Sequence, residues 1–496
     1  MRSAREASVT PRSLAVGLWA ALALSGMGIA SLLFLGSSEN VPSIAVTACL
    51  VTGLYGIVSQ FGRVKLLGVR FFGAVNLFHL MVWCFHCGLT FPMALGLSEA
   101  SSSSITSTQA AAAWVTLVAF LAFDLGVIWT WMRRGRVSGL TPDERRWAES
   151  SHSTAGSLFV GGIGFGVLLA VAAALNVMAV GIDAVLREGY NSITYQEADL
   201  RLYKTALSMG GATLLIALCG ARTRGRRRAV VCLSALLVGF LVVSGDRSAA
   251  FFFLLAAAFL WVQQGNVIPR RVFAVAVALA LIIGPTVRLV RELSADERSA
   301  DALREAVTSI HPLSIFEEMG ASIVTLGGTL ELVPRTRDYQ LGMTWIGAAG
   351  YVLPNLGSSL ARQSTATADL DPARWITAEL EPGFFALGGG LGFSAIAEPY
   401  MNFGLPGVLA YFVLLGLVLA RWDLVRVMPT PGVLVMRALI LYPLLSTARN
   451  DMTNFFRPAA WSLFVVLGIF AVRALVQKRR AAGPGHPTSA PIPSHP

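Results

Sequence analysis

Residues 13–36 read SLAVGLWAALALSGMGIASLLFLG, 24 residues without a charge or a proline. A helix crosses the hydrocarbon core of a bilayer with about 20 such residues, because every backbone amide there must be satisfied within its own segment. The stretch is too long for the core of a signal peptide and is expected to remain as an anchor. Eleven more segments share its character: 41–61, 71–97, 110–132, 155–182, 205–220, 229–245, 248–262, 272–287, 403–420, 433–448 and 458–476. The 496-residue chain is 55% hydrophobic and 14% charged, against about 25% charged in soluble proteins. That excludes a soluble globular enzyme and a disordered chain, and five cysteines are too few to staple a secreted scaffold. The expected fold class is all-α: a polytopic integral membrane protein of about 12 transmembrane helices. One membrane-embedded domain is expected over 1–476, followed by a disordered cytoplasmic tail, rich in Pro, Gly and Ser, at 477–496.

The formal net charge of +11 is informative only after sorting by loop. Cytoplasmic loops near span ends collect Lys and Arg. With both termini inside, the inner loops hold 24 cations against five acids, net +19, and the outer side 14 cations against 22 acids, net −8. Arg63 is counted among the inner-loop cations, and Asp124 and Arg437 fall within spans. The excess is therefore topological and calls for no nucleic acid.

In this topology residues 288–401 form one long extracytoplasmic loop, and loops of that length are functional or structured. Leu313, Phe316, Met319, Ile323, Val324, Leu326 and Leu330 recur at helical spacing, which predicts an amphipathic helix on the membrane surface. Residues 343–356 and 384–397 are uncharged, contain glycine and are short, as re-entrant segments would be. Charged residues mark the outer ends of the spans: Asp246 and Arg247 at a hinge between two short helices, then Arg288, Arg291, Glu398, Arg449, Asp451 and Arg457. Gathered around one outward cavity, such guanidiniums would grip an anionic lipid headgroup, since the planar fork of Arg matches phosphate oxygens. Against this, Arg at helix ends commonly snorkels to the interface, and 36 Arg against three Lys points to compositional bias.

Other patterns read as packing. Cys84-Phe-His86-Cys87 with His79 has metal-like residue types but lies mid-span without a second ligand pair, so no metal is expected. Gly161-Gly-Ile-Gly-Phe-Gly166 follows no strand, so close helix packing explains it better than a nucleotide loop. Asp124 is costly in lipid and predicts a structural partner within the bundle.

Five elements resemble a known family: Ser244-Gly-Asp-Arg-Ser248, Glu318-Met-Gly-Ala-Ser322, Tyr339-Gln-Leu-Gly342 with Leu353-Pro-Asn355, Gly392-Phe-Ser394, and Glu398-Pro-Tyr-Met-Asn-Phe-Gly404. They look like Wzy-type O-antigen polysaccharide polymerases, over roughly residues 229–470. The resemblance implies a GT-C-like, inverting membrane glycosyltransferase of surface polysaccharide biosynthesis (O-antigen or exopolysaccharide). It would move glycan from an undecaprenyl diphosphate carrier to another lipid-linked repeat unit on the outer face of the bacterial inner membrane. Neither cofactor nor metal is implied. The partners would be undecaprenyl-diphosphate-linked oligosaccharides and the bilayer, with room for a chain-length regulator. On that reading Arg247, Arg288, Arg291 and Arg449 would meet the diphosphate charge that grows on the leaving group. Glu398 would be first choice as general base, with Asp451, Asp246 and Glu317 behind it; Glu398 would otherwise cap or anchor its helix. An O-antigen ligase, with the same donor and another acceptor, and a lipid-linked oligosaccharide flippase or transporter are the competing functions.

Overall fold

A computed structural model describes residues 10–36, 42–98, 101–133, 142–180, 201–243, 246–292, 313–353, 371–424 and 430–481. Among them there is helix and no strand. The N-terminal half holds α1 (Pro11–Leu35), α2 (Pro42–Gly62), a π-helical turn (Arg63–Leu67), α3 (Ala74–Cys87), α4 (Thr90–Ala94), α5 (Ser107–Met132), α6 (Pro142–Val180) and α7 (Arg201–Gly220). Then come α8 (Arg224–Val243), α9 (Arg247–Gln263), α10 (Arg270–Glu292), α11 (Ser314–Met319), α12 (Ser322–Leu332) and α13 (Met343–Gly350). The chain ends with α14 (Pro372–Leu380), α15 (Pro382–Ala386), α16 (Ala397–Leu424), α17 (Pro431–Ser446) and α18 (Thr453–Ala481). Among the described residues six stretches are long and apolar enough to cross a membrane: Pro11–Leu35, Ser43–Leu67, Ser107–Met132, Thr154–Ala179, Ala397–Leu424 and Thr453–Arg479. Shorter apolar helices cover Ala74–Cys87, Thr205–Gly220, Arg247–Gln263 and Pro431–Ser446.

Local chemistry starts these helices. Thr10 caps α1 ahead of Pro11, Thr430 caps α17 ahead of Pro431, and Thr106 and Gln109 form a reciprocal capping box on α5. Helix α5 is the hub, packed by α1, α2 and α16. Its contact with α16 is backbone to backbone: a Cβ on Gly126 would stand 2.2 Å from the Val413 carbonyl oxygen, and one on Gly416 2.3 Å from that of Phe123. The glycine run of α6 serves the same purpose, Gly162 lying against Ala217 and Thr213 of α7.

Three expectations change. Segment 71–97 is not one helix but α3 and α4, broken at Gly88-Leu89, where residues 316–320 press in. A Cβ on Gly88 would come within 2.3 Å of the Phe316 carbonyl oxygen, and one on Gly320 within 1.9 Å of the Leu89 nitrogen. The amphipathic surface helix is instead two helices, α11 and α12, and α12 is inserted into the bundle against α3, α5 and α16. Gly327 allows the approach to α5, Gly328 makes room for Leu380 and Ile376 of α14, and the Thr325 and Thr329 hydroxyls donate to backbone carbonyls at 3.0 and 2.8 Å, so both can be buried. Arg63 is not a loop cation but fully buried, ion-paired with the equally buried Asp124. Its Nε donates to Asn76 at 3.0 Å, and Tyr55 donates to the second Asp124 oxygen at 2.7 Å. This is the structural partner that Asp124 required.

Helix ends meet in two groups. At the ends facing the basic loops, Asp423 accepts from the backbone nitrogens of Ala74 and Val75 at 3.1 and 2.9 Å and from Gln263 at 3.2 Å, capping α3 from another helix. Elsewhere the ends of α13, α14, α16 and α18 meet at the candidate site.

Candidate functional site

Helix α16 is kinked. Phe403 (φ −140°, ψ 16°) and Gly404 (φ 63°, ψ −156°) leave the helical region, and Pro406 follows. A left-handed φ with Tyr339 at 3.1 Å from the Cβ position makes glycine the residue for this corner. The break sets Glu398-Pro-Tyr-Met-Asn402 apart as a short helical cap over the span. Glu398 is 2% exposed. One carboxylate oxygen accepts from the Thr344 hydroxyl at 2.9 Å and the other from the Met452 backbone nitrogen at 2.9 Å. Asn402 donates to Thr344 at 2.7 Å and accepts from the Gly342 nitrogen at 2.8 Å, which ties residues 340–344 to the cap.

Ser394 holds the entry to this cap. Its hydroxyl accepts from the nitrogens of Ile396 and Ala397 at 3.0 and 3.1 Å and donates to His86 Nε2 at 2.6 Å. His86 then carries its proton on Nδ1 and donates it to the Val82 carbonyl at 2.9 Å. His86 of the metal-like tetrad is thus committed to anchoring the site.

Segment 449–454 supplies the other half. Asp451, 1% exposed, accepts from the backbone nitrogen of Thr453 at 3.0 Å and from its hydroxyl, and from the Ala373 nitrogen at 3.3 Å. Asp371 caps the same helix, α14, accepting from the Arg374 nitrogen at 3.2 Å, which sets its carboxyl beside that of Asp451. Burial, and after it the Asp451 charge, pushes Asp371 up to about 7. Arg449 holds Phe393 through its carbonyl at 2.6 Å, and its side chain lies along Gly392. Arg457 turns elsewhere, stacking over Trp461 at 4.7 Å.

A carboxyl raised in this way stabilises the fold while protonated. Its contribution is complete below the unfolded value near 4 and is lost as pH rises through about 7. Wild-type protein in detergent therefore loses thermal stability between pH 5 and pH 8, each pH unit of displacement being worth about 1.4 kcal/mol. Asp371→Asn, which mimics the neutral form, flattens that dependence; an unchanged slope would show that Asp371 titrates normally.

Asp246 and Arg247 occupy a second patch. Asp246 caps α9, accepting from the Ala249 nitrogen and the Ser248 hydroxyl, each at 3.1 Å. Arg247 forms an ion pair with Glu318 of α11, the two side chains about one-fifth exposed. A cavity of about 270 Å³ opens beside Asp246, lined by Ser248, Tyr442, Ser446, Asn450 and Asn454 among others. Asn454 joins the two patches, since its amide also reaches Asp451 at 3.4 Å.

The structure thus brings Glu398, Asp451 and Arg449 onto adjoining segments and links Asp246 to them through the cavity. Arg288 and Arg291 continue α10, but their side chains lie outside the described residues, as do Ser244, Gly245, Pro354 and Asn355. Glu317, the reserve base, sits on α11 with one carboxylate oxygen buried and no hydrogen-bond partner. The sequence reading missed Asp371, Thr344 and Asn454, and quoted Glu318 in a motif without giving it a role. Asp371-Pro372 carried a helix-start signal that gave no hint of Asp451, and Asn402 stood unremarked inside the quoted Glu398–Gly404 motif.

Quoted motifs also pair in space: Arg247 with Glu318, and residues 340–342 with Met401 and Asn402, while Phe393 of another meets Arg449. No curated protein and no solved structure matches the chain. The family model described as O-antigen polysaccharide polymerase Wzy matches residues 18–480, nearly the whole chain. Taken with the helical membrane architecture, that match shows that the chain belongs to the Wzy family of O-antigen polysaccharide polymerases.

Proposed function

We propose that this protein polymerises lipid-linked oligosaccharide repeat units on the outer face of the bacterial inner membrane, with both termini cytoplasmic. The observation that carries the reading is the junction of Glu398 with the 449–454 segment, in a chain that matches the polymerase family from residue 18 to 480. The acceptor hydroxyl oxygen bonds to the anomeric carbon of the donor glycan from the opposite face. The bond from that carbon to the undecaprenyl diphosphate oxygen breaks, its electron pair leaving on the diphosphate, and the hydroxyl proton passes to Glu398. The sugar inverts. Asp451 and Asp246 are the next carboxylates for the proton. Arg247, Arg288, Arg291 and Arg449 meet the diphosphate charge without a metal, which in a poorly solvated site stabilises the transition state by several kcal/mol.

Arg247 is engaged by one carboxylate oxygen of Glu318, an anionic partner of the kind a phosphate oxygen would also be. Diphosphate binding then exchanges one anion for another at the guanidinium. Arg247→Ala is expected to abolish polymer while membrane insertion stays normal, read as the length ladder of lipid-linked glycan and the amount of protein in the membrane fraction. Near-normal length would remove Arg247 from the site.

The ligase alternative shares the donor, so the same ladder separates it. Inactivation of a polymerase leaves single repeat units that are still transferred to their final acceptor; inactivation of a ligase leaves long lipid-linked polymer untransferred. A flippase or transporter needs charges free to move within the membrane, and the mid-span Asp124 is held by Arg63 and Tyr55. Purified protein in vesicles that moved lipid-linked sugar without lengthening it would overturn the polymerase reading.

A further inference from the structure

The cavity beside Asp246 differs in chemistry from a diphosphate site. Its walls come from α7, α9, α17 and α18, and among the described residues the single charged lining side chain is the Asp246 carboxylate. Among the described residues no Arg or Lys lines it. The rest divides into hydroxyls and amides (Ser208, Ser248, Tyr442, Ser446, Asn450 and Asn454) and apolar groups, with the rings of Phe252 and Tyr442 among the walls. A diphosphate entering would meet one carboxylate and no counter-ion, which is unfavourable in a partly buried site. A pyranose ring suits it, because hydroxyls pair with amides and hydroxyls around its edge while its C–H faces pack on aromatic rings.

We infer that this cavity is the subsite for the uncharged terminal sugar of the acceptor glycan. This rests on the polymerase reading and adds to it which part of which substrate the cavity takes. Position supports the acceptor end. Asn454 lines the cavity and reaches Asp451, and the next segment residue, Met452, donates to Glu398, so a sugar seated here presents its hydroxyl toward the two carboxylates. Charge supports the specificity: Asp246 repels a uronic acid at this position and tolerates a neutral sugar.

The test uses purified full-length protein with two probes made from its native lipid-linked repeat unit. One has its accepting hydroxyl methylated and serves only as donor; the other carries a non-cleavable phosphonate in place of the diphosphate and serves only as acceptor. Asn454→Ala and Asn450→Ala are expected to raise the acceptor KM roughly 5–10-fold each, the scale of one or two lost hydrogen bonds, with the donor KM unchanged. An acceptor analogue oxidised to the uronic acid at its terminal sugar competes at least about tenfold less well than its neutral parent against wild type, and Asp246→Asn narrows that gap. Thermal unfolding of each variant in detergent separates binding effects from misfolding, and Tyr442→Phe provides a further lining variant should one of the Asn variants unfold. A rise in donor KM instead, or equal competition by acidic and neutral analogues, would overturn the subsite. Failure of the wild-type protein to join the two probes at all would overturn the polymerase reading rather than this one.

Discussion

Arg63→Met is expected to destabilise the folded protein by about 3–5 kcal/mol, because it leaves the Asp124 carboxylate buried and unpaired. Both side chains are fully excluded from solvent, and the guanidinium is further held by Asn76 and lies over the Phe123 ring, its carbon 5.9 Å from the centroid. The expected readout is a marked drop in thermal or denaturant midpoint for protein in detergent. The double variant Arg63→Met with Asp124→Leu recovers most of the loss, since two apolar groups leave no uncompensated charge. A double variant as unstable as the single one would show that the pair contributes something beyond charge compensation, and an unaffected single variant would mean that Asp124 does not depend on Arg63. Because the pair lies within the bundle and away from the carboxylate cluster, activity per folded molecule should hold.

Glu398→Gln is the substitution expected to cost the most activity, about 10²- to 10⁴-fold in the rate of chain extension, the usual worth of a positioned general base. The amide still accepts from the Met452 nitrogen or the Thr344 hydroxyl, so the helical cap and the fold are kept. The measurement is the initial rate of repeat-unit addition with purified protein, alongside the thermal midpoint. Glu398→Asp retains the base at a shorter reach and is expected to fall between the two. Full activity in Glu398→Gln would make the residue a helix anchor and pass the role to Asp451. Loss of rate together with loss of folding would make Asp451→Asn the deciding variant.

Much of this molecule is legible along the chain. Segments such as 13–36 and 110–132 are long apolar windows, and such a window in lipid has one solution, a helix, so α1 and α5 follow directly. The pairing of Asp124 was foreseeable in kind, since a carboxylate at that depth needs a partner, but not in identity: Arg63 looked like one more cation at a loop edge. Glu398 and Asp451 stood out as charges at the ends of apolar spans. Asp371 did not, because its local signal, Asp before Pro at a helix start, is complete without reference to Asp451. The α12 segment misled for a related reason. A stripe of apolar residues predicts that one face is covered, not by what; Gly327 lets it approach α5 inside the bundle, where a membrane surface is what the stripe alone predicts.

The sequence by itself determined the helical membrane architecture and the positions of most candidate site residues. Hydropathy, charge and helix capping are sums over neighbouring residues, so windows of some twenty positions contain them. Only the tertiary structure decided that Met452 reaches Glu398, that Glu318 holds Arg247, that His86 steadies Ser394 across 308 positions, and that the described wall of the cavity beside Asp246 has a carboxylate and no cation. Those contacts depend on how far backbones can approach at a few glycines and on which helix ends then meet, and both are properties of packing between segments distant in the chain.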